Sequence, residues 1–164
     1  MLPDLGIARE KYFRFIQNSE TDPFSYKFST HSSPSPFSRC FAVFGLNLIN
    51  KLTLNADDRT KLSQWIRSGL DELRKTRKAQ GIDLTNDKSY LQLLTFSLTA
   101  LSIIGTLEVD GLEDHCEPLM TNEVSANLDR RKVHLGVPQS GNYAMFMAII
   151  LLHATKYLNQ DQSS

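Results

Sequence analysis

The stretch KSYLQLLTFSLTALSIIG, residues 88–105, decides how this chain is organised. After Lys88 no charged side chain occurs as far as Leu107. From residue 89 onward the stretch is uncharged and mostly apolar, with Gln92, Thr95, Thr99 and Ser102 on one face, so we predict a helix over 89–104 that is buried on nearly all sides. Gly105 is the residue type at which helices commonly end.

The same apolar pattern occurs earlier in the chain, which indicates an internal repeat. Sliding the sequence by 96 − 41 = 55 residues places Phe41 on Phe96. The other aligned pairs are Gly45 with Ala100, Leu46 with Leu101, Leu48 with Ile103, Ile49 with Ile104 and Leu52 with Leu107. A repeat of one apolar and one amphipathic helix buries its faces only by stacking on its neighbours. We therefore expect Phe41 and Phe96 to be buried at equivalent positions.

Helical periodicity and turn residues divide the chain into alternating inner and outer helices. We predict a single domain over 1–164, with an N-terminal helix in 1–18, a Ser- and Pro-rich connector in 19–35, helical repeats in 36–158 and a tail in 159–164. The inner helices are predicted over 36–51, 89–104 and 142–158, and the outer helices lie after residue 55 and over 121–132. The predicted fold class is all-α: two and a half stacked α-hairpins plus the N-terminal helix. No outer helix follows the third inner helix, so the N-terminal helix or another subunit is expected to cover it.

Local residue types mark where two of these helices begin. Ser35 followed by Pro36 combines a preferred N-cap residue with proline at the first helical position. Asn55 is the predicted N-cap of the next helix, in which one apolar stripe is expected to be buried. The members of this stripe are Leu62, Trp65, Ile66, Gly69, Leu70 and Leu73. In the connector, the alternating aromatics Phe24, Tyr26 and Phe28 fit either a short strand or a clamp against the helices.

Three runs carry a resemblance to a known superfamily: PSPFSRCFAVFGLNLI (34–49), KSYLQLLTFSLTALSIIG (88–105) and SGNYAMFMAIILLHATKYL (140–158). Each resembles an inner helix of the α/α-toroid proteins, which include prenyltransferase and terpenoid-cyclase domains and the helical domains of heparinase-like polysaccharide lyases. The resemblance covers residues 33–158. It implies part of an α/α toroid. A closed ring would need a partner chain or a second copy to complete the helical arc, and an open arc is the alternative.

Composition limits the classes of function. Eighteen basic and eighteen acidic side chains give a formal net charge of +0, which argues against nucleic-acid partners. Polar residues dilute the uncharged run before Leu107, so we expect a soluble protein rather than a membrane protein. Cys40 and Cys116 lie far apart in sequence, and free cysteines fit a cytoplasmic location. We expect no cofactor.

A zinc site is the metal alternative. Asp114 and Cys116 are similar to part of the zinc-ligand arrangement of protein prenyltransferase β subunits, with His153 as the remote ligand. Carboxylate, thiolate and imidazole together suit a catalytic zinc with one open position. The competing interpretation is a polar loop with an incidental cysteine, and we select no metal ligand.

The polar residues at the starts of the inner helices are the candidate ligand-binding site. In a toroid these ends face the opening, where backbone donors point at ligands. The residues we select are Arg39, Tyr90, Asn142, Tyr143 and His31. A forked donor, stacking rings and an amide suit an acidic sugar, so the leading hypothesis is binding or processing of a carbohydrate polymer. The alternatives are a noncatalytic protein–protein interaction module and an isoprenoid or terpenoid enzyme fragment; catalytic residues, and whether the protein is an enzyme, stay open.

Overall fold

The computed structural model describes residues 5–29, 31–106, 112–119, 142, 145–150 and 152–153. Most of these residues are helical and one two-stranded hairpin is present, which confirms the all-α class. Contacts between Cα atoms separate two compact units. Unit 1 comprises Met1–Leu70 and Thr99–Thr106, and unit 2 comprises Asp71–Leu98 and Leu107–Ser164. Two of the helices, α3 and α4, contribute residues to both units.

Unit 1 begins with a helix and a short hairpin. Helix α1 (Leu5–Ser19) leads directly into β1 (Glu20–Asp22), which pairs antiparallel with β2 (Ser25–Tyr26). In the turn between the strands Phe24 has φ 62°, and its N–H donates to the Glu20 carboxylate at 2.8 Å. Ile16, Tyr26 and Ala42 form a buried cluster there, so the hairpin joins the end of α1 to the next helix. The strand interpretation of the connector is therefore confirmed for Tyr26.

Helix α2 (Pro36–Leu48) begins where the sequence predicts. The Ser38 N–H donates to Ser35 Oγ at 3.1 Å, and the Ser35 N–H donates to Ser38 Oγ at 3.0 Å. This reciprocal capping box is stabilising because it satisfies two of the N–H groups that a helix start leaves unpaired. The buried Ser38 hydroxyl also donates to the Tyr26 carbonyl at 2.5 Å, which ties α2 to the hairpin.

Helix α2 ends earlier than predicted. Asn50 adopts the left-handed conformation with φ 57°, and the Lys51 N–H bonds back to the Leu46 carbonyl at 2.8 Å. Together with the bond from the Asn50 N–H to the Asn47 carbonyl, this is a Schellman motif. The predicted extension to Lys51 is wrong because asparagine accepts a positive φ more readily than most residues.

Helix α3 (Ala56–Ala79) packs antiparallel to α2 within unit 1. Asn55 caps it as predicted, since its side chain accepts from the Asp58 N–H at 2.8 Å. A Cβ on Gly69 would lie 2.8 Å from Pro36 Cγ, so the start of α2 touches the middle of α3. Of the predicted stripe, Leu62, Ile66, Gly69 and Leu70 are buried. Trp65 is 37% exposed, so its predicted burial is wrong.

Helix α4 (Lys88–Ile104) is the predicted central helix. Its residues 90, 91, 93, 94, 95, 97, 98, 100, 101 and 104 are buried. It ends as predicted at Gly105, which has φ 72°, while the Thr106 N–H donates to the Leu101 carbonyl at 3.0 Å. No helix in the described ranges is long and apolar enough to cross a bilayer.

The repeat prediction is wrong in its key pair. Phe41 is 43% exposed, whereas Phe96 is half-buried. Helix α2 buries the side that carries Ser38, Cys40, Ala42, Val43 and Gly45, and Phe41 lies off that side. The two helices therefore have similar residue types at an offset of 55 positions, but equivalent positions are not buried to the same extent.

The later part of the chain is described only in pieces. Helix α5 (Glu113–Cys116) continues into a 3-10 turn (Glu117–Leu119) in unit 2. Residues 145–150 are helical, with Phe146, Met147 and Ile150 buried. The helix predicted over 121–132 and most of the rest of 142–158 lie outside the described residues.

Candidate functional site

A buried histidine in unit 2 links two helices. His115, on α5, is only 2% exposed. Its Nε2 lies 2.8 Å from Asp71 Oδ1 on α3, and its Nδ1 lies 2.7 Å from the Tyr90 hydroxyl on α4. Since an ionised carboxylate only accepts, Nε2 carries the proton and Nδ1 accepts from the tyrosine. Both polar atoms of the neutral imidazole are therefore satisfied.

The environment of His115 keeps the ring uncharged. Burial lowers the pKa of His115 from its ordinary value, and the hydrogen bond and charge of Asp71 oppose that effect only in part. Burial likewise raises the pKa of the Tyr90 hydroxyl. A phenol that holds its proton is a poor base and a poor nucleophile. The network therefore joins α3, α4 and α5 and has no activated group.

The zinc alternative is not supported by this arrangement. Both nitrogens of His115 are engaged, and burial raises the pKa of Cys116 to about 11, which keeps the thiol protonated. Asp114 forms an ion pair with Arg74 at 3.2 Å. In the described part of the chain no three His, Cys, Asp or Glu side chains are grouped to hold a metal ion.

Tyr90 was selected from the sequence as a stacking surface, and this expectation is wrong. The residue is 1% exposed, and the His115 network holds its hydroxyl. Its position in the first turn of α4 suggested exposure, but unit 2 covers that turn. The buried hydrogen bond to a residue 25 positions away has no signal in the sequence.

Arg39 is half-buried and already makes several contacts in unit 1. Its Nε donates to the Phe24 carbonyl at 3.0 Å, and its Nη1 donates to the Trp65 carbonyl at 2.9 Å. The guanidinium also lies 5.1 Å from the centre of the Trp65 ring. Burial lowers the pKa of Arg39 from its ordinary value. Arg39 thus joins the hairpin turn, α2 and α3, and it leaves part of the Trp65 ring exposed.

The other residues selected from the sequence are exposed or lie outside the described part of the chain. His31 is exposed in the turn before α2 and belongs to unit 1 with Arg39. Asn142 is exposed and helical in unit 2 with Tyr90. Tyr143 lies outside the described residues. A site shared by the other four selected residues, Arg39, His31, Asn142 and Tyr143, stays a prediction.

Unit 1 carries a group of exposed apolar side chains that are not among the candidate residues predicted from the sequence. This aromatic surface consists of Tyr12, Phe15, Phe28, Phe41 and Leu48. Phe28 and Phe41 meet edge to face with ring centres 5.6 Å apart, and Tyr12 stacks on Phe15 at 6.4 Å. Large exposed apolar side chains gathered in one place are typical of interaction sites.

Helix α1 packs against α2 at a glycine that lies close to the exposed side chains of α2. A Cβ on Gly45 would lie 2.5 Å from the Tyr12 hydroxyl, so the tyrosine rests on α2 at that point. Phe41 and Leu48 lie four residues before and three residues after Gly45, which places them beside it on the helix. The two helices therefore present their apolar side chains next to one another.

The aromatic surface borders a basic helix. The net charge of α1 is +2, because the helix carries three basic side chains and one acidic side chain. These are Arg9, Lys11, Arg14 and Glu10. All four side chains are exposed. The Arg14–Glu10 ion pair at 3.1 Å is exposed on both sides, so it contributes little to stability. Hydrophobic periodicity alone did not reveal this surface, because it predicted that such residues face inward.

Comparisons with protein-family models, with curated proteins and with solved structures found no match for this chain.

Proposed function

We propose that this chain is a noncatalytic helical interaction module that binds an acidic amphipathic helix of another protein on its aromatic surface. The observation that carries this proposal is the exposure of Phe15, Phe28 and Leu48 on neighbouring elements of unit 1. Aromatic residues are enriched in protein interfaces, where they supply large contact areas with few rotatable bonds. A helix laid against such a surface buries one apolar stripe.

Charge supports an acidic partner. The net +2 of α1 attracts glutamates and aspartates on the flanks of an incoming helix, and the attraction weakens as salt rises. A second copy of this chain would bring the basic α1 helices toward one another at a twofold contact, which is unfavourable. We therefore favour a different, acidic protein over self-association.

The contacts of the other candidate residues support a binding role over catalysis. Tyr90 and His115 satisfy each other inside unit 2, and the Cys116 thiol is protonated. The glycan hypothesis keeps one supporting observation, the exposed Trp65 ring beside Arg39. A sugar ring stacked on tryptophan with its carboxylate near arginine is the second candidate function, and the experiment below includes it.

For the architecture, we propose that the α2/α3 pair is one α-hairpin of an open array resembling part of an α/α toroid. The antiparallel contact of Pro36 with Gly69 supports this arrangement, as does the apolar character of α4. The terpenoid-enzyme alternative has less support, because it requires an acid or a metal beside a deep aromatic pocket.

The binding proposal is tested with a labelled synthetic helix. The probe has leucines at positions i, i+3, i+4 and i+7 and glutamates elsewhere, and its matched control carries lysines in place of the glutamates. Fluorescence anisotropy should show tighter binding of the glutamate peptide, with affinity falling as salt rises. Phe15→Ala and Leu48→Ala should each weaken binding about tenfold, as central apolar contacts do.

Control variants separate the candidate functions. Ile82→Ala removes an exposed apolar side chain in unit 2 and should leave peptide binding unchanged. Equal binding of both peptides, or no effect of Phe15→Ala, would contradict the proposal. Binding of an oligogalacturonate that is lost in Trp65→Ala would favour the glycan function instead. Concentration-dependent dimerisation that Leu48→Ala abolishes would identify a second copy as the partner.

A further inference from the structure

Unit 1 contains a cavity of about 180 Å³ next to the end of α2. Its apolar wall comes from α1, α2, α3 and the segment that follows α2. The residues of this wall are Phe13, Ile16, Val43, Leu46, Leu52 and Leu62. Polar side chains also line the cavity, Gln17 and Thr53 among them. For scale, an apolar cavity of ~150 Å³ is large enough to bind benzene. The volume is therefore sufficient for a single aromatic ring with a short substituent, and it is well below the roughly 300 Å³ at which sites for drug-sized molecules begin.

Two of the polar residues that line this cavity belong to the hairpin. The Glu20 carboxylate accepts from the Phe24 N–H at 2.8 Å. Burial and the neighbouring Glu20 carboxylate together raise the pKa of Tyr26, so its hydroxyl stays protonated.

Lys51 supplies a cationic group to the lining of the cavity. Its ammonium lies 5.4 Å from the centre of the Phe13 ring, and in the described ranges no carboxylate oxygen lies within 4.0 Å of it. The Schellman motif at Asn50 holds the backbone of Lys51 through its N–H bond to the Leu46 carbonyl. An ammonium that lies against an aromatic face and lines a partly apolar cavity can pair with an anion.

We propose that this cavity binds a small aromatic carboxylate of the size of benzoate. The ring enters between Phe13, Val43 and Leu46, and the carboxylate pairs with the Lys51 ammonium. An aromatic amine is disfavoured because the Lys51 ammonium repels it. This site is separate from the aromatic surface, since Tyr12, Phe15, Phe28, Phe41 and Leu48 do not line it. The inference therefore stands independently of the proposed protein partner.

The test compares three probes of one shape: benzoate, benzyl alcohol and benzylamine. Titrations of the full chain followed by NMR should show benzoate binding at least tenfold more tightly than the other two. Nuclear Overhauser contacts should connect the benzoate ring protons with the methyl groups of Val43 and Leu46. Lys51→Met keeps most of the aliphatic chain and should remove the preference for benzoate.

The matched control is Lys61→Met, which removes an exposed lysine of α3 that does not line the cavity. It should bind benzoate as the parent does, and so should Phe28→Ala. Should Lys51→Met prove unstable, the ranking of the three probes on the parent chain decides the question alone. Equal affinity for the three probes, no benzoate binding, or ring contacts outside the cavity would each overturn the proposal.

Discussion

His115 illustrates at the scale of single residues how burial determines the chemistry of a side chain. Its sequence neighbours, Asp114 and Cys116, suggested a metal ligand. In the folded protein its ring nitrogens are instead bonded to Asp71 and Tyr90, and the group is 2% exposed. A neutral imidazole satisfies that arrangement completely. A protonated imidazole would turn Nδ1 into a donor, so the buried tyrosine hydroxyl would lose the acceptor for its own proton.

The state of His115 leads to a pH-dependent stability. Its pKa is lowered in the folded protein, mainly by burial, while the unfolded chain has the ordinary value near ~6.5. Above that pH the imidazole is neutral in both the folded and the unfolded protein, and its full contribution to the free energy of unfolding is present. As the pH falls below it, the unfolded chain takes up the proton first and this contribution is lost. The charged groups around the ring are Asp71, Arg74 and Asp114, and the lowered pKa of His115 already contains their effects.

We therefore expect the free energy of unfolding to fall between about pH 7 and pH 5, measured with urea at several pH values. His115→Gln keeps a donor and an acceptor but does not titrate, so its slope over this range should be smaller. His31→Gln is the matched control, because His31 is exposed, and it should keep the parental slope. A parental slope in His115→Gln would show that another group is responsible.

At the scale of elements, two glycines allow neighbouring helices in unit 1 to approach closely. Gly69 of α3 faces Pro36 of α2, and Gly45 of α2 faces Tyr12 and Ile16 of α1. The contacts differ in rigidity: the proline ring belongs to the capped first turn of α2, whereas Tyr12 is a long, exposed side chain. An added methyl group therefore has different consequences at the two positions.

Gly69→Ala should destabilise the protein by about 1–3 kcal/mol, because its Cβ would lie 2.8 and 2.9 Å from atoms of the Pro36 ring. Gly45→Ala should cost less, because the exposed Tyr12 ring can swing outward whereas the Pro36 ring is fixed in the capped first turn of α2. The gain of roughly 1 kcal/mol from alanine in a helix applies at both positions. Urea unfolding of the two variants in parallel provides the measurement. An equal loss in both, or a larger loss in Gly45→Ala, would contradict this account of helix packing.

At the scale of the whole molecule, the distribution of apolar side chains separates the covered faces of the helices from the open ones. Leu70 on α3 is 0% exposed and Leu48 on α2 is 76% exposed. Both are leucines, so sequence composition treats them alike. The hydrophobic contribution to stability is proportional to the apolar area removed from water. Folding buries all of the Leu70 side chain, whereas most of the Leu48 side chain stays in water.

We expect Leu70→Ala to lower the free energy of unfolding by about 2–5 kcal/mol and Leu48→Ala to change it by less than about 0.5 kcal/mol. Denaturant unfolding at low protein concentration measures both values. A large loss in Leu48→Ala would mean that another surface covers this residue in the monomer. That result would remove the basis for a binding site on the aromatic surface.

Local residue chemistry predicted the helical class and the helix ends. Ser35, Asn55 and Gly105 act as expected because a cap depends on a few adjacent residues and their backbone angles. The length of α2 was overestimated because Asn50, which is compatible with a helix, takes the left-handed conformation here.

The sequence by itself determined that this chain forms capped helices around a highly apolar α4, since both properties depend on neighbours along the chain. Only the tertiary structure decided which faces are covered, and it exposed Phe41 and buried Tyr90 against expectation. It also brought Asp71 and His115 together across 44 positions and left the cavity beside Lys51. The physical reason is that burial and long-range hydrogen bonds depend on which helix packs against which, and hydrophobic periodicity describes each helix alone.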